Sequence, residues 1–516
     1  MNLQHDVPVA GQLTHRQILT VFSGLLMAML LAALDGTIVA TALPTIVGEL
    51  GGLGQLAWVV TAYLLAQTIV TPLYGKLGDL YGRKIILQTA IGIFLLGSAL
   101  CGISQSMGQL ILFRAIQGLG GGGLLVTAQA VVGDIVPPRD RGRYQGIFGA
   151  VFGVSSIAGP LLGGYFTTQL NWRWIFYINL PLGVLALGVI AITLPARPDR
   201  VKRAIDYVGA ALLAVTLSGI ILFTDLGGTT YPWGSPLMIT LAVTVVLALV
   251  AFLFVESRAK EPIMPLRLFR NRTFTVTVVS GAIVGVAMFG SVTYLPLFLQ
   301  IVTGASPTGS GLRMIPMMGG MLVTSILSGQ LISRWGRYRI FPITGTAVMT
   351  LGLLLLSRMD ATTTVLRASL DMMVLGLGLG MVMQVLVIAV QNEVDYRDLG
   401  VATSGVTLFR LIGGSFGTAF FGAIFAAGLE RNLRKMLPGG LTGGSGHGMG
   451  ISPRILADLD PALRAVYIDA FTSSLRVVFL TASAIAVVGF GLTWLVPERP
   501  LRGSVAVPVT RIGEDA

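Results

Sequence analysis

Charged and amide side chains stand inside apolar runs of this sequence, where they are costly, and the chemistry open to them there is charge pairing and proton handling. Asp35 lies in LDGTIVATALP, Leu34 to Pro44, deep in the first run. An ionised carboxylate at membrane depth must be paired, hydrogen-bonded or open to a water-filled cavity. Desolvation favours its protonated form, whereas a nearby cation or water favours release. A carboxylate whose surroundings alternate is therefore a proton carrier; the competing reading is an ion pair that only holds helices together. Arg114 opens RAIQGLGGGG in the fourth run and is the candidate partner. A guanidinium does not readily give up its charge, so it either tunes the carboxylate or bridges two helices. Gln117 follows Arg114 at i,i+3 spacing, shares its face and is a candidate for the substrate cavity.

Arg410 is embedded in TLFRLIGGSFGTAF, a run interior without an acid. Its partner must be another element, a backbone carbonyl, or an anionic substrate or lipid group, and the leading reading is a structural anchor. Gln384, Gln391 and Asn392 in the preceding run are neutral groups for a substrate or for a neighbouring helix. Met317 and Met321 belong to a methionine series whose flexible side chains suit a cavity for varied apolar molecules, and suit lipid-facing positions equally.

A second set reads as a gate. GKLGDLYGRK, Gly75 to Lys84, is a short polar link between two apolar runs, and GQLISRWGRY, Gly329 to Tyr338, repeats it in the far half. Gly75, Gly78 and Gly82 permit close approach; Asp79 and Arg83 supply charges. With Asp134 and the Arg139 to Arg143 cluster, they can hold one arrangement and release it in another. Lys76 and Lys84, taken singly, read as solvated topology charges. In GVSSIAGPLLGG, Gly153, Gly159, Gly163 and Gly164 line a small-residue face, and Pro160 frees a backbone hydrogen bond, as a bendable seam requires.

The elements that must position these residues are membrane-spanning helices. The chain has 516 residues, of which 54% are hydrophobic and 11% charged, outside the soluble range. Runs of roughly 20 apolar residues match a hydrocarbon core about 30 Å thick. We count 14, at about 17–43, 56–75, 85–105, 108–136, 145–168, 177–194, 206–225, 236–256, 273–300, 311–333, 340–357, 369–392, 400–428 and 473–496. The expected fold is an all-α integral membrane protein: a six-helix bundle over 1–200, an inserted, peripheral helix pair over 201–260, a second six-helix bundle over 261–498, and a tail over 499–516. Parallel duplication of six helices is a known way to build a two-sided transporter with a central cavity. The first run is long and carries an acid, so it reads as a retained span.

Lys76, Arg83, Lys84, Arg139, Arg141, Arg143, Arg197, Arg200, Lys202 and Arg203 place their loops, and with them both termini, on the cytoplasmic side. The net charge of +12 is dispersed among these links, so it does not indicate nucleic acid. Cys101 stands alone, and His5, His15 and His447 are scattered, so no disulfide, metal or other cofactor is expected. The stretch from about 431 to 472 is an outer loop, glycine-rich from Pro438 and then marked by Ser452-Pro453 and Asp460-Pro461, each a helix cap before proline. Short surface helices leading into the last span are expected there.

Taken together these motifs resemble the major facilitator superfamily, and within it the 14-helix drug:proton antiporter group of QacA- and EmrB-type multidrug exporters, from about Ile18 to Trp494. Gly75 to Lys84 resembles the loop 2–3 signature; Arg114, Gln117 and Gly118 the fourth-helix motif; Gly153, Gly159, Pro160, Gly163 and Gly164 the exporters' fifth-helix signature. Asp35, Thr37, Ala42, Leu43 and Pro44 are similar to the first-helix motif of the 14-helix group, and WRWIFYINLPLG and the Arg410 segment to further elements. The resemblance implies proton-coupled export of amphipathic or lipophilic compounds from a bacterial cytoplasmic membrane, with Asp35 and Arg114 in proton coupling. It also implies a monomer with protons, amphipathic molecules or lipids, and membrane lipids as partners. Two departures stand out: Ser333 occupies the position of Asp79, and the Arg410 run lacks the interior acids of some dication exporters. Export of a native lipid, fatty acid or secondary metabolite is the alternative, a channel a weaker one, and an enzyme lacks any catalytic constellation.

Overall fold

The computed structural model describes residues 14–52, 55–195, 205–228, 230–436 and 460–501. The helices are α1 His15–Leu50, α2 Leu56–Tyr81, α3 Arg83–Gly102, α4 Met107–Ile135, α5 Arg141–Gln169, α6 Asn179–Thr193, α7 Tyr207–Leu226 and α8 Pro236–Glu256. They continue as α9 Arg272–Val292, α10 Ile315–Trp335, α11 Ile340–Leu356, α12 Val365–Glu393, α13 Leu399–Met436 and α14 Pro461–Thr493. No β-strand occurs among the described residues. Among the described residues thirteen helices are long and apolar enough to cross a membrane, counting the short turn Trp174–Tyr177 with α6 and Tyr294–Ile301 with α9. The 17-residue α11 is the shorter, fourteenth apolar helix.

Local chemistry sets the helix ends. Thr14 and Gln17 form a reciprocal capping box at the start of α1, and Ser106 caps α4 through the Gln109 amide. Asp460 caps α14 before Pro461, so the cap read in the sequence exists. It opens a continuous helix from Pro461 rather than a separate surface helix, twelve residues before the expected start. Ser452 and Pro453 lie outside the described residues, as do Arg197, Arg200, Lys202, Arg203, His5 and His447.

Packing repeats itself. In the first six helices α1 packs on α4, α5 and α6, and α4 on α2 and α3; in the last six α9 packs on α12, α13 and α14, and α12 on α10 and α11. The two sets meet along two seams, α2 with α13 and α5 with α10. The α4 glycine run makes this density possible. A Cβ at Gly118 or Gly122 would collide with backbone carbonyls of α2, and one at Gly120 with the α3 backbone.

The inserted pair is not wholly peripheral. α7 lies along the α2–α13 seam, where Asp225 accepts from Thr61 of α2 at 2.8 Å and Thr224 shares a hydrogen bond with Ser415 of α13 at 2.6 Å. α8 packs on α7 and leaves Val243, Val246, Leu247, Val250 and Phe254 exposed, the apolar face a lipid-contacting helix presents.

The GKLGDLYGRK stretch is also not a loose link. α2 continues through Tyr81 and the reversal is made by Gly82 alone, at φ +92°; Gly336, at φ +69°, ends α10 and opens a four-residue link to α11. Both are left-handed positions that favour glycine.

Candidate functional site

Asp35 is fully buried, without an aqueous opening onto its side chain. Arg114 Nη1 donates to its Oδ2 at 2.5 Å, Gln117 Nε2 to its Oδ1 at 2.8 Å, and Asn179 Nδ2 to the same Oδ1 at 3.4 Å. The carboxylate thus joins α1 to α4 and α6. Arg114 is itself held from several sides. Its Nη1 donates to Gln117 Oε1 at 2.7 Å, its Nε to the Val59 carbonyl at 3.2 Å, and its guanidinium lies 4.2 Å from the centre of the Tyr63 ring. Ser98 of α3 accepts from Gln117 and Asn179 and donates to the Phe176 carbonyl. In a low-dielectric interior such a network is stable only when almost every donor and acceptor is matched.

Asn179, Ser98, Tyr63 and Val59 escaped sequence reasoning. Asn179 carried a usable signal, since it is an amide inside the apolar WRWIFYINLPLG segment; Ser98 and Tyr63 are too ordinary in membrane helices to stand out. Gln117, a candidate for the substrate cavity, bonds Asp35 and Arg114 in this cluster.

A second cluster closes the face bearing the α2–α3 turn. Arg83 pairs with Asp79, with Asp134 at 3.1 Å, and donates to the Gly75 carbonyl at 3.4 Å. Asp79 in turn accepts the amides of Gly400 and Val401 at 3.0 and 2.9 Å. These are the first free N–H groups of α13, where the helix dipole favours an anion. Gly75 lets α2 approach, because a Cβ there would collide with Ser404 and the Gly400 carbonyl, and one at Gly78 would meet the Arg83 guanidinium.

Arg141, expected as a topology charge and as part of the gate's charge cluster, is buried and donates to the carbonyls of Gly133, Val136 and Gln391, the last across the halves. Lys76 is likewise buried and paired with Glu261 at 2.8 Å, not solvated. Lys84 donates to the Ala191 carbonyl.

The seam residues of α5 divide between two neighbours. Gly159 and Gly163 admit Thr37 and Thr41 of α1, and Thr37 Oγ1 donates to the Ser155 carbonyl at 2.9 Å. Gly153 faces the Met318 carbonyl of α10, and Pro160 lies against Gly311. Gly164 offers its carbonyl to Thr167 and Thr168.

The residues expected around a substrate cavity do not form one group. Gln391 donates to the Gln129 carbonyl and to Thr403 Oγ1, and Asn392 to the Pro500 carbonyl. Met317 and Met321 pack inside the apolar cluster of the last six helices rather than on an open wall. Gln384 and Arg410 are buried.

Comparisons with known proteins agree with this architecture. The chain is 46% identical over 496 residues to an uncharacterised MFS-type transporter of Mycobacterium tuberculosis, covering 96% of this chain and 71% of that one. It is 43% identical over 419 residues to the multidrug transporter protein MdtP of Bacillus subtilis, covering 81% and 76%, and 37% identical over 468 residues to multidrug resistance protein 3 of the same organism, covering 89% and 91%. Among solved structures the human organic anion transporter MFSD10 aligns with a TM-score of 0.62 at 15% identity, over 92% of this chain and 99% of that one, a likeness of fold alone. The profile of the Major Facilitator Superfamily matches residues 25–418, and the chain belongs to that superfamily of membrane transporters.

Proposed function

We propose that the chain exports amphipathic or lipophilic compounds across a bacterial cytoplasmic membrane in exchange for protons, with 14 spans, both termini cytoplasmic and the α2–α3 turn on the cytoplasmic face. The observation that carries this reading is Asp35, fully buried and bonded by Arg114, Gln117 and Asn179. A proton arriving there removes the charge that Arg114 pairs with, so protonation and the packing of α1 on α4 are coupled. The halves over 1–200 and 261–498 rock about the α2–α13 and α5–α10 seams, and the Asp79 contact with α13 holds the cytoplasmic-closed arrangement. The membrane potential adds drive of about 2.3 kcal/mol per charge per 100 mV. Relatives whose names call them a multidrug transporter and a multidrug resistance protein support the export direction.

Proteoliposomes with an imposed proton gradient and a cationic dye test the proposal. Asp35→Asn should abolish gradient-driven dye movement at unchanged membrane content; normal pumping by that variant overturns the coupling. A second reading, export of a native metabolite, draws on the 35% identity over 412 residues to the acurin A biosynthesis cluster MFS-type transporter of Aspergillus aculeatus. Parallel screening of metabolites and lipids separates the two.

A further inference from the structure

Arg410 is 7% exposed about three turns into α13 and makes neither a hydrogen bond nor an ion pair among the described residues. Four acids of nearby helices are engaged elsewhere. Asp35 pairs with Arg114, Asp134 with Arg83, Asp371 with Arg367 and Glu393 with Arg499, while α5, α9 and α10 contain no acid at all. A guanidinium stays charged, so at this depth it is an uncompensated cation.

Gln384 is the second unsatisfied group. It is 2% exposed, and both its Oε1 and its Nε2 lack a partner. Register places the two at about the same depth. Gln391 of α12 donates to Thr403 of α13 at 3.0 Å, fixing one level of the contact between these helices. α12 ends near that level and α13 begins there. Gln384 precedes Gln391 by seven residues and Arg410 follows Thr403 by seven, so each lies about 10 Å further in, on nearly the same helix face. Gln384 also borders the other half: a Cβ on Gly149 of α5 would stand 3.3 Å from its Cγ, beside Ser325.

We propose that Arg410 and Gln384 form a binding site for the oxyanion head, a carboxylate or a phosphate, of an amphipathic molecule that the protein carries. The guanidinium fork matches two oxygens of such a head, and the Gln384 amide adds a neutral donor from the neighbouring helix. The inference rests on the export reading and narrows its cargo from amphiphiles in general to acidic ones. The anion supplies the counter-charge that the fold withholds, at a seam where movement of the halves exposes or seals it.

Thermal melting of the purified full chain in a nonionic detergent tests this, with oleate, hexadecyl phosphate, uncharged methyl oleate and cationic ethidium as probes. Oleate or hexadecyl phosphate should raise the Tm of the wild type, and methyl oleate should not; which anion acts tells a carboxylate cargo from a phosphate one. Arg410→Gln should weaken the anion response about tenfold, Arg410→Lys less, and neither should alter the response to ethidium. Without ligand, Arg410→Gln should melt no lower than the wild type, because it removes an unpaired charge; a clear fall would show a structural anchor and overturn the proposal. Equal anion responses in Arg410→Gln and wild type would also overturn it. A wild type that pumps dye under a proton gradient yet shows no anion response keeps the export reading and loses this site. An anion response without pumping keeps the site and loses the export reading.

Discussion

Ser333 accepts the Arg143 amide at the start of α5 at 3.2 Å, in the position where Asp79 accepts the Gly400 and Val401 amides at the start of α13. The same geometry recurs in the backbone, since Gly329 lies against the Gly142 carbonyl as Gly75 lies against that of Gly400. The two halves therefore meet on one face through contacts of unequal strength. A carboxylate at a helix N-terminus gains from the dipole and from charge-assisted hydrogen bonds, whereas a hydroxyl gains little beyond one neutral bond.

Asp79→Ser should consequently weaken the closed arrangement by about 1–2 kcal/mol, roughly a tenfold population change, and Ser333→Ala by no more than about 1 kcal/mol. Spin labels at the exposed positions Ile85 and Trp335 report the separation of the halves on that face. Asp79→Ser should add a longer-distance population larger than that of Ser333→Ala. Equal responses would mean that the charge on Asp79 contributes nothing to closure.

The Asp35–Arg114 pair should show strong coupling in a double-mutant cycle. Arg114→Gln alone leaves a buried carboxylate without its cation, a loss of about 3–5 kcal/mol. Asp35→Asn together with Arg114→Gln removes both charges and should recover most of that loss. Melting of the four proteins in detergent gives the comparison. If the double variant is as unstable as the sum of the single ones, the two side chains act independently and the pair does not organise α1 and α4.

Why the sequence revealed some of this and not the rest follows from range. Spans are local, so their length and composition mark each one. Only the ends move, as at Pro461, where a cap begins a helix before the apolar residues do. Asp35 and Arg114 were legible because each is an anomaly in its own run. Ser98 and Tyr63 act only through their neighbours across helices, and nothing in their own runs distinguishes them, whereas Asn179 stands out as an amide in an apolar run but without any sign of its partners. The burial of Lys76 and Arg141 was hidden for the same reason. A basic residue near a helix end reads as a topology charge until Glu261 and the Gly133, Val136 and Gln391 carbonyls are placed beside it. α7 looked peripheral because Asp225 lies at the end of its run, while its partner Thr61 is 164 residues away.

Gly97 of α3 controls the network without touching Asp35. A Cβ there would stand 2.5 Å from the Cα and N of Gln117, and a helix backbone cannot yield as a flexible side chain does. Gly97→Ala should push α4 away from α3 and lengthen the Gln117 bonds to Asp35 and Ser98. The expected cost is about 1–3 kcal/mol in stability, with a several-fold loss of gradient-driven transport. Gly92→Ala on the same helix, where a Cβ meets nothing within 4 Å, is the control and should leave both unchanged.

The last described residues are strapped to the closed face by Tyr338. Its hydroxyl donates to the Pro497 carbonyl at 2.9 Å and accepts the Arg499 amide at 3.3 Å, while Asn392 donates to the Pro500 carbonyl. Burial pushes the Tyr338 phenol up to about 12, above its ordinary value of about 10. Below pH ~10 it is thus neutral whether the strap is docked or free, and its contribution is fully present; it is lost only as pH rises through about 12. Tyr338→Phe removes both hydrogen bonds, about 1–2 kcal/mol in all, and should speed exchange of the Arg499 amide roughly tenfold at neutral pH. In the wild type the protection of that amide should stay constant between pH ~6 and ~9 once intrinsic exchange is corrected for. Unchanged protection in Tyr338→Phe would show that the Glu393–Arg499 pair at 3.6 Å and the Asn392 bond hold the strap unaided.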